Sequence, residues 1–380
     1  MNIDELRKDF PITERYLYFN TGWSGPSPKP VVEAMVDTLR RESSMGPASK
    51  QFLSEMEVEI TGLRNELGDL IGVNAEEISL NHSTGEGLNV IYNGMKWNRG
   101  DRVVTTNLEH GANILPLMQL RKRRGVEIVK VEANSDGLFD LNDFEETINE
   151  KTKLVTISHV NYMLGTILPV KEIAQVCHQY GVPILLDTAQ SVGGIQFNLK
   201  EIGCDFAAAQ GGKWLLGPGG TGFLYIAQEQ LEKLSLASIG YRGAKAAGDD
   251  YLCRNDARRF EISEPNAALK IGLHRAVKYH TDIGTDVIQK RVRSLTGYLI
   301  DKAGEIPKLQ VLGARDPNLK NGLVSLKVEG RDANELVRTL ETKHRIVTRA
   351  VPKYKAIRVS LHIFNTEKEI DTLVNTLENS

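Results

Sequence analysis

The run VPILLDTA at 182–189 constrains this chain more than any other stretch. An almost unbroken apolar run of strand length suits a strand buried on both faces of a sheet. It closes on Asp187, and a carboxylate ending so apolar a strand must be paired, because burying it alone is costly. Similar short β-branched or apolar runs recur on both sides: ISLNHS, DRVVTTN, VEIVKVEA, KLVTISHV, DFAAAQ and TGFLYI. Amphipathic stretches such as KEIAQVCHQYG lie between them, that one with a glycine stop. Strands alternating with helices predict a mostly parallel sheet covered by helices on both faces.

Ahead of this region, residues 31–41 and 54–71 carry apolar residues at helical spacing. After about residue 260 the texture changes. A long helical stretch at 266–306 leads to the strand NGLVSLKVEG, a helix at 332–342, the runs IVTRAV and AIRVSLHI, and a final helix. That is a smaller α+β unit. The expected division is a large domain over 16–260 and a small one over 261–380, with 1–15 possibly packed on the latter.

Composition excludes more than it assigns. Lys plus Arg is 47 and Asp plus Glu is 49, a net charge of −2. Such balance gives no reason to expect nucleic acid or an anionic membrane as partner. No apolar run approaches the ~20 residues that span a bilayer. The charged start MNIDELRKDF is no secretory signal. Cys177, Cys204 and Cys253 are scattered and odd in number, which fits a reducing cytoplasm and no disulfide framework. No CxxC or HExxH pattern calls for a metal.

Four groups fall where parallel strands end, the edge at which open α/β sheets bind ligands. Lys213 sits in QGGKWLLGPGG after DFAAAQ. Glycines let backbone approach a ligand closely, and a poorly solvated lysine is a nucleophile. A surface lysine in a turn would read the same way. Asp187 is a suitable partner for a pyridinium nitrogen; a close pair gains roughly 4 kcal/mol at an effective dielectric near 20. The alternative is a helix N-cap. Ser83, Thr84 and Gly85 precede an apolar helical run, and a helix N-terminus with free N–H groups favours an anion such as phosphate. Ser-Thr-Gly is also a common cap. His110, in NLEHGAN, offers an imidazole to stack on a planar ring, although a lone histidine is more often structural.

In order and spacing these motifs resemble the class V aminotransferase and cysteine desulfurase branch of fold type I pyridoxal phosphate enzymes. The residues that carry the resemblance are YFNTG, NHSTGEGLN, LEHGANILP, SHVNYMLGTILPV, LLDTAQSVG, GGKWLLGPGGTGFLYI, ARRFEISEPN and IRVSLHIFNTEKEID, spread over 16–372. The resemblance implies a large domain built on a seven-stranded, mostly parallel sheet, and a homodimer with sites at the interface. It implies pyridoxal 5'-phosphate as a Schiff base on Lys213. Asp187 then faces the pyridine nitrogen, Gln190 the phenolic oxygen and His110 the ring. Thr84 and Gly85, with Ser83, bind the phosphate. Arg358 clamps the substrate carboxylate, and Asn20 belongs to the same substrate side. Ser263 reaches the phosphate from the neighbouring subunit.

Three departures qualify the match. The S-x-H-K pattern before the lysine is replaced by Gln210 and Gly212, so Gln210 is expected to supply a phosphate donor. The usual serine-asparagine pair after SHV is Asn161-Tyr162, which puts the contact of that asparagine in doubt. Desulfurases that relay sulfur as a persulfide carry a cysteine in a loop ahead of the carboxylate arginine, and RIVTRAVPKYKAIRVS has none. Cys253, in the loop YLCRND, is the one cysteine placed to lie near a site. The missing cysteine, GYRG at 240–243 and the bulky Tyr162 most resemble cystine C–S lyases and isopenicillin epimerase-like members, with Tyr241 and Arg242 as candidate substrate contacts. The expected activity is a β-eliminating C–S lyase on cysteine, cystine or a cysteine S-conjugate. A class V aminotransferase or epimerase uses the same lysine, and a non-catalytic binding protein on this fold is the remaining reading.

Overall fold

The computed structural model describes residues 2–380. Its large sheet has seven strands in the order Ile78–Asn81, Gly222–Ile226, Phe206–Gln210, Ile184–Asp187, Thr152–Ser158, Arg102–Thr106 and Glu127–Val131. Gly222–Ile226 runs antiparallel to both of its neighbours, and the remaining pairings are parallel. Ile184–Asp187 is central and buried at every position, as its apolar run requires. Asp187 therefore stands at the carboxyl edge, between Ser158 of one neighbouring strand and Ala208 of the other.

The helices cover this sheet for ordinary reasons. Lys50–Ile71 is capped by Ser49, whose hydroxyl accepts from the Phe52 N–H, and it stops at Gly72, which adopts φ +72°. It buries Phe52, Met56, Ile60, Leu63, Leu67 and Ile71, a stripe at helical period. The helical stretch after 266 is two helices, Ala267–Ile283 and Thr285–Gly304, because Gly284 breaks the chain at φ +94°. Leu273 and Val277 of the first enter the core of the large sheet. Leu295 and Leu299 of the second enter the core of a smaller sheet.

That smaller sheet has four antiparallel strands in the order Leu309–Leu312, Leu323–Val328, Ala356–Ser360 and Arg349–Val351. The N-terminal segment packs against it: Phe10 clusters with Ile288, Val292, Ile363 and Phe364, and Arg7 pairs with Glu369 at 2.8 Å. IVTRAV divides into two pieces. Ile346–Val347 pairs in parallel with Leu17–Tyr18, whereas Arg349–Val351 joins the small sheet.

One element escapes the periodicity argument. Residues expected to form a loop around Cys253 form a hairpin, Ala244–Ala247 with Asp250–Cys253, turned by Gly248 at φ +66°. Both strands are largely solvent-exposed, with Leu252 69% and Tyr251 51% accessible. Among the described residues no helix is long and apolar enough to cross a membrane.

Candidate active site

The carboxyl edge of the large sheet opens into a cavity of about 230 Å³. Ser83, Thr84, Gly85, His110, Tyr162, Asp187, Gln190, Gln210 and Lys213 all line it, together with Ser158, which the sequence reading passed over. Residues from five strand ends and the turns that follow them thus converge on one space.

Asp187 is buried, and its Oδ1 accepts from the Ala189 N–H at 2.9 Å. Burial pushes its carboxyl above the usual range, while the charge of Lys213 pulls it back. Burial also brings the Lys213 ammonium down to about 8, against the attraction of Asp187; Arg358 and Arg349 push it further down. The two groups bias each other's titration yet form no ion pair, which leaves the space between them for a ligand. A lysine titrating near 8 rather than 10.5 keeps a substantial neutral, nucleophilic fraction in the upper physiological range. Uptake of pyridoxal phosphate by the apo-protein is therefore expected to quicken with pH and level off above about 8, measured by absorbance after mixing across pH 6–10. A rise continuing past pH 10 contradicts that assignment.

Ser83 caps the helix Thr84–Gly94 by accepting from the Glu86 N–H at 3.2 Å. In the cap the Ser83 hydroxyl only accepts, so its O–H can still donate, and the anion site comprises it, the first N–H groups of that helix and the Thr84 hydroxyl. Thr84 Oγ1 is buried with no partner. An orphaned donor at a helix N-terminus fits a phosphate oxygen. Gln210 ends its strand on the cavity wall, with no side-chain hydrogen bond inside the protein.

His110 caps the helix Gly111–Arg124, its Nδ1 accepting from the Ala112 N–H at 3.1 Å. That bond assigns the proton to Nε2. Burial, with Lys213 and Arg358 nearby, lowers the imidazole's pKa and keeps it neutral. Its ring meets Tyr162 edge-on at 4.8 Å. Beneath it lies Glu109, which sequence reasoning missed. This buried carboxylate accepts from Thr106 Oγ1, Asn113 Nδ2, and both the N–H and the hydroxyl of Ser158.

Gln190 is more committed than the resemblance implies. Its Nε2 donates to the Gly22 carbonyl at 2.8 Å and its Oε1 accepts from Trp214 Nε1 at 2.7 Å. One N–H remains for a cofactor oxygen. Asn161 turns away altogether, its Oδ1 accepting from the Met163 and Leu164 N–H groups at 2.8 Å each. Tyr162 takes its place on the cavity.

Arg358 is 3% exposed. Its Nη1 donates to the Tyr162 carbonyl at 2.8 Å, and its Nε and Nη2 are buried without partners. Those two N–H groups form the side-on fork that a carboxylate fills. Asn20 bridges to Ser360, two residues along the same strand, with its Oδ1 buried and unpartnered. A second guanidinium, also missed, stands beside them. Arg349 pairs in register with Arg358 across antiparallel strands, which puts both side chains on one sheet face. Its Cζ lies 3.3 Å from the centre of the Trp23 ring. Neither arginine forms a salt bridge among the described residues. Like charges directly opposite are destabilising, and an anion between them would relieve that repulsion.

Three expected residues lie elsewhere on the same chain. Tyr241 and Arg242, read as substrate contacts, line a different cavity beside the 244–253 hairpin. The Tyr241 hydroxyl accepts from the Glu264 N–H, and Arg242 pairs with Glu57 and Glu264. The chain leaves the sheet edge after residue 226, and these loops run over the surface. Ser263 is exposed there too, away from its own chain's cavity. Cys253 belongs to that second cavity, while Cys177 and Cys204 are buried thiols raised by burial, Cys177 to about 12.

The donor set fits pyridoxal phosphate. A buried carboxylate faces a nucleophilic lysine, a neutral imidazole lies alongside, and an orphaned hydroxyl waits at a helix N-terminus. The family model for aminotransferase class V matches residues 17–373. The chain belongs to that family. A probable cysteine desulfurase of Methanothermobacter thermautotrophicus is 32% identical to this class V chain, covering 100% of it and 98% of the relative. The apo structure of a cysteine desulfurase from Thermococcus onnurineus superposes with TM-score 0.92 at 30% identity, over 100% of this chain and 98% of that one. The cystine C–S lyase C-DES, solved with its reaction product cysteine persulfide, gives TM-score 0.92 at 26% identity, over 97% and 99%.

Proposed function

We propose that this class V chain is a pyridoxal phosphate-dependent C–S lyase acting on cystine or a similar two-carboxylate cysteine derivative. The Arg358–Arg349 pair carries the reading. Cysteine offers one carboxylate; cystine offers two, and Arg358, with Nε and Nη2 unpartnered, shares one sheet face with Arg349, which stacks on Trp23. The bound cofactor supplies an electron sink for the carbanion at Cα. The protein's own residues do the rest. Arg358 orients the α-carboxylate through Nε and Nη2. Lys213, partly neutral near pH 8, takes the α-proton as general base. Asp187 would hold the proton on the pyridine nitrogen of the bound cofactor. His110, with its proton on Nε2, presents a donor to the site. Cleavage of Cβ–S with uptake of one water balances as cystine plus water giving pyruvate, ammonia and cysteine persulfide.

The partner subunit belongs to the same proposal. An exposed two-stranded hairpin is marginal by itself, and covering Tyr251 and Leu252 with a second copy would also bring Ser263 towards a neighbouring phosphate site. The free thiols fit a reducing compartment such as the cytoplasm.

Pyruvate release from cystine and from cysteine, for the wild type and Arg349→Leu, tests the substrate. The variant is expected to raise KM for cystine at least tenfold while changing KM for cysteine little, since a charged hydrogen bond is worth about 1.5–3 kcal/mol. No pyruvate from either compound refutes the lyase. The relatives named as desulfurases favour a second reading, a thiol relay, for which Cys253 is the one partly exposed candidate. Cys253→Ser is expected to keep full sulfur release; a loss restores the relay.

A further inference from the structure

Tyr162 and Arg358 come from different sheets, and the turn at 161–167 is what joins them. Asn161 closes the inside of that turn. Its Oδ1 takes the Met163 and Leu164 N–H groups, and its carbonyl accepts from the Gly165 N–H at 2.8 Å. Four successive carbonyls are left, and each is met by a donor from the small sheet or its preceding loop. Arg358 Nη1 donates to the Tyr162 carbonyl at 2.8 Å and Ser325 Oγ to that of Met163 at 2.5 Å. Lys320 Nζ donates to the Leu164 carbonyl at 2.6 Å, and the Asn321 N–H to that of Gly165 at 3.3 Å. The turn lies directly on the strand Leu323–Val328. Gly165 sits at φ +74°, and a Cβ there would stand 2.1 Å from the Leu323 carbonyl oxygen.

Lys320 is the unusual member. It is wholly buried, and its ammonium meets carbonyls, Leu164 and more distantly Leu312 at 3.5 Å, with no carboxylate in a salt bridge. Burying an ammonium without a counter-ion is costly. A neutral side chain would fill the volume, but it would leave the Leu164 carbonyl unpaired.

We propose that Lys320, with Ser325, is a positioning residue for the substrate: it holds the 162–165 carbonyls so that the Tyr162 ring and the free N–H fork of Arg358 keep one relative geometry. The link runs from Lys320 to the Leu164 carbonyl, through three residues of rigid turn to the Tyr162 carbonyl, and so to Arg358 Nη1. With Nη1 held, the guanidinium cannot rotate, and Nε and Nη2 stay aimed at the carboxylate. This rests on Arg358 as the α-carboxylate site and not on the lyase chemistry.

The test uses holoenzyme and two unreactive probes, glycine and methylamine, which differ by the carboxylate. Binding is read from the change in cofactor absorbance, so it needs no turnover. Lys320→Met is expected to weaken glycine at least tenfold and Ser325→Ala about threefold, as loss of one or two hydrogen bonds implies. Methylamine affinity and cofactor content should stay unchanged, and Lys320→Arg should recover most of the glycine binding. Equal weakening of both probes, or unchanged glycine affinity, overturns the proposal. If Lys320→Met does not fold, Ser325→Ala carries the same comparison, because it removes only one hydroxyl. A wild type that binds glycine no better than methylamine refutes the role of Arg358, whatever the outcome of the pyruvate assay.

Discussion

Lys213→Ala is expected to lower turnover by about 10⁴-fold, the upper end of what a positioned general base contributes. Lys213 is the only lysine lining the cavity, and burial brings it to about 8, where it is available as a base. Fold and phosphate site should survive, since Thr84 and the helix N-terminus that face the anion lie on another part of the sheet edge. The variant is therefore expected to bind pyridoxal phosphate without the absorbance of the wild type. Added small amines should restore part of the rate. A variant within tenfold of wild type removes Lys213 from the chemistry.

Asp187→Asn is expected to cost about a thousandfold in kcat with little change in KM. A close charge pair at an effective dielectric near 20 is worth roughly 4 kcal/mol, and a factor of ten costs about 1.4. Asparagine keeps the shape and the acceptor for the Ala189 N–H, but it cannot hold the ring nitrogen's proton. The loss should fall on proton removal at Cα, seen as slower exchange of the α-proton into deuterated water. In the apo-protein the substitution also removes the attraction that raises the Lys213 amine, so uptake of cofactor should level off at a lower pH. A kcat unchanged within threefold contradicts the role of Asp187.

The sequence reveals the cavity because its parts are local. Asp187 shows through because a strand buried on both faces is apolar until the residue that leaves the sheet. Ser83–Gly85 shows through because it caps a helix, and His110 because it follows a strand end; both stand at fixed offsets from local periodicity. What is hidden depends on register or distant contacts. Arg349 acquires meaning only when it pairs with Arg358, a relation set by the Pro352–Tyr354 turn. The engagement of Gln190 with Gly22 and Trp214 joins positions 168 and 24 residues apart. The 244–253 hairpin is hidden for the opposite reason. AKAAGDDYLC has no apolar alternation, because neither face is buried within one chain. Tyr241 and Arg242 lie beside it, on a cavity apart from the one at the sheet edge.

On the proposed reading, the opposed arginines would make the substrate a missing counter-ion of the resting protein. If a small dianion binds both guanidinia it should stabilise the fold, since a ligand bound only to the folded state raises its melting temperature. Simple dicarboxylates would then act both as thermal protectants and as competitors, in proportion to how well their charges span the pair. The enzyme's heat tolerance and its selectivity would be two readings of a single spacing between positive charges.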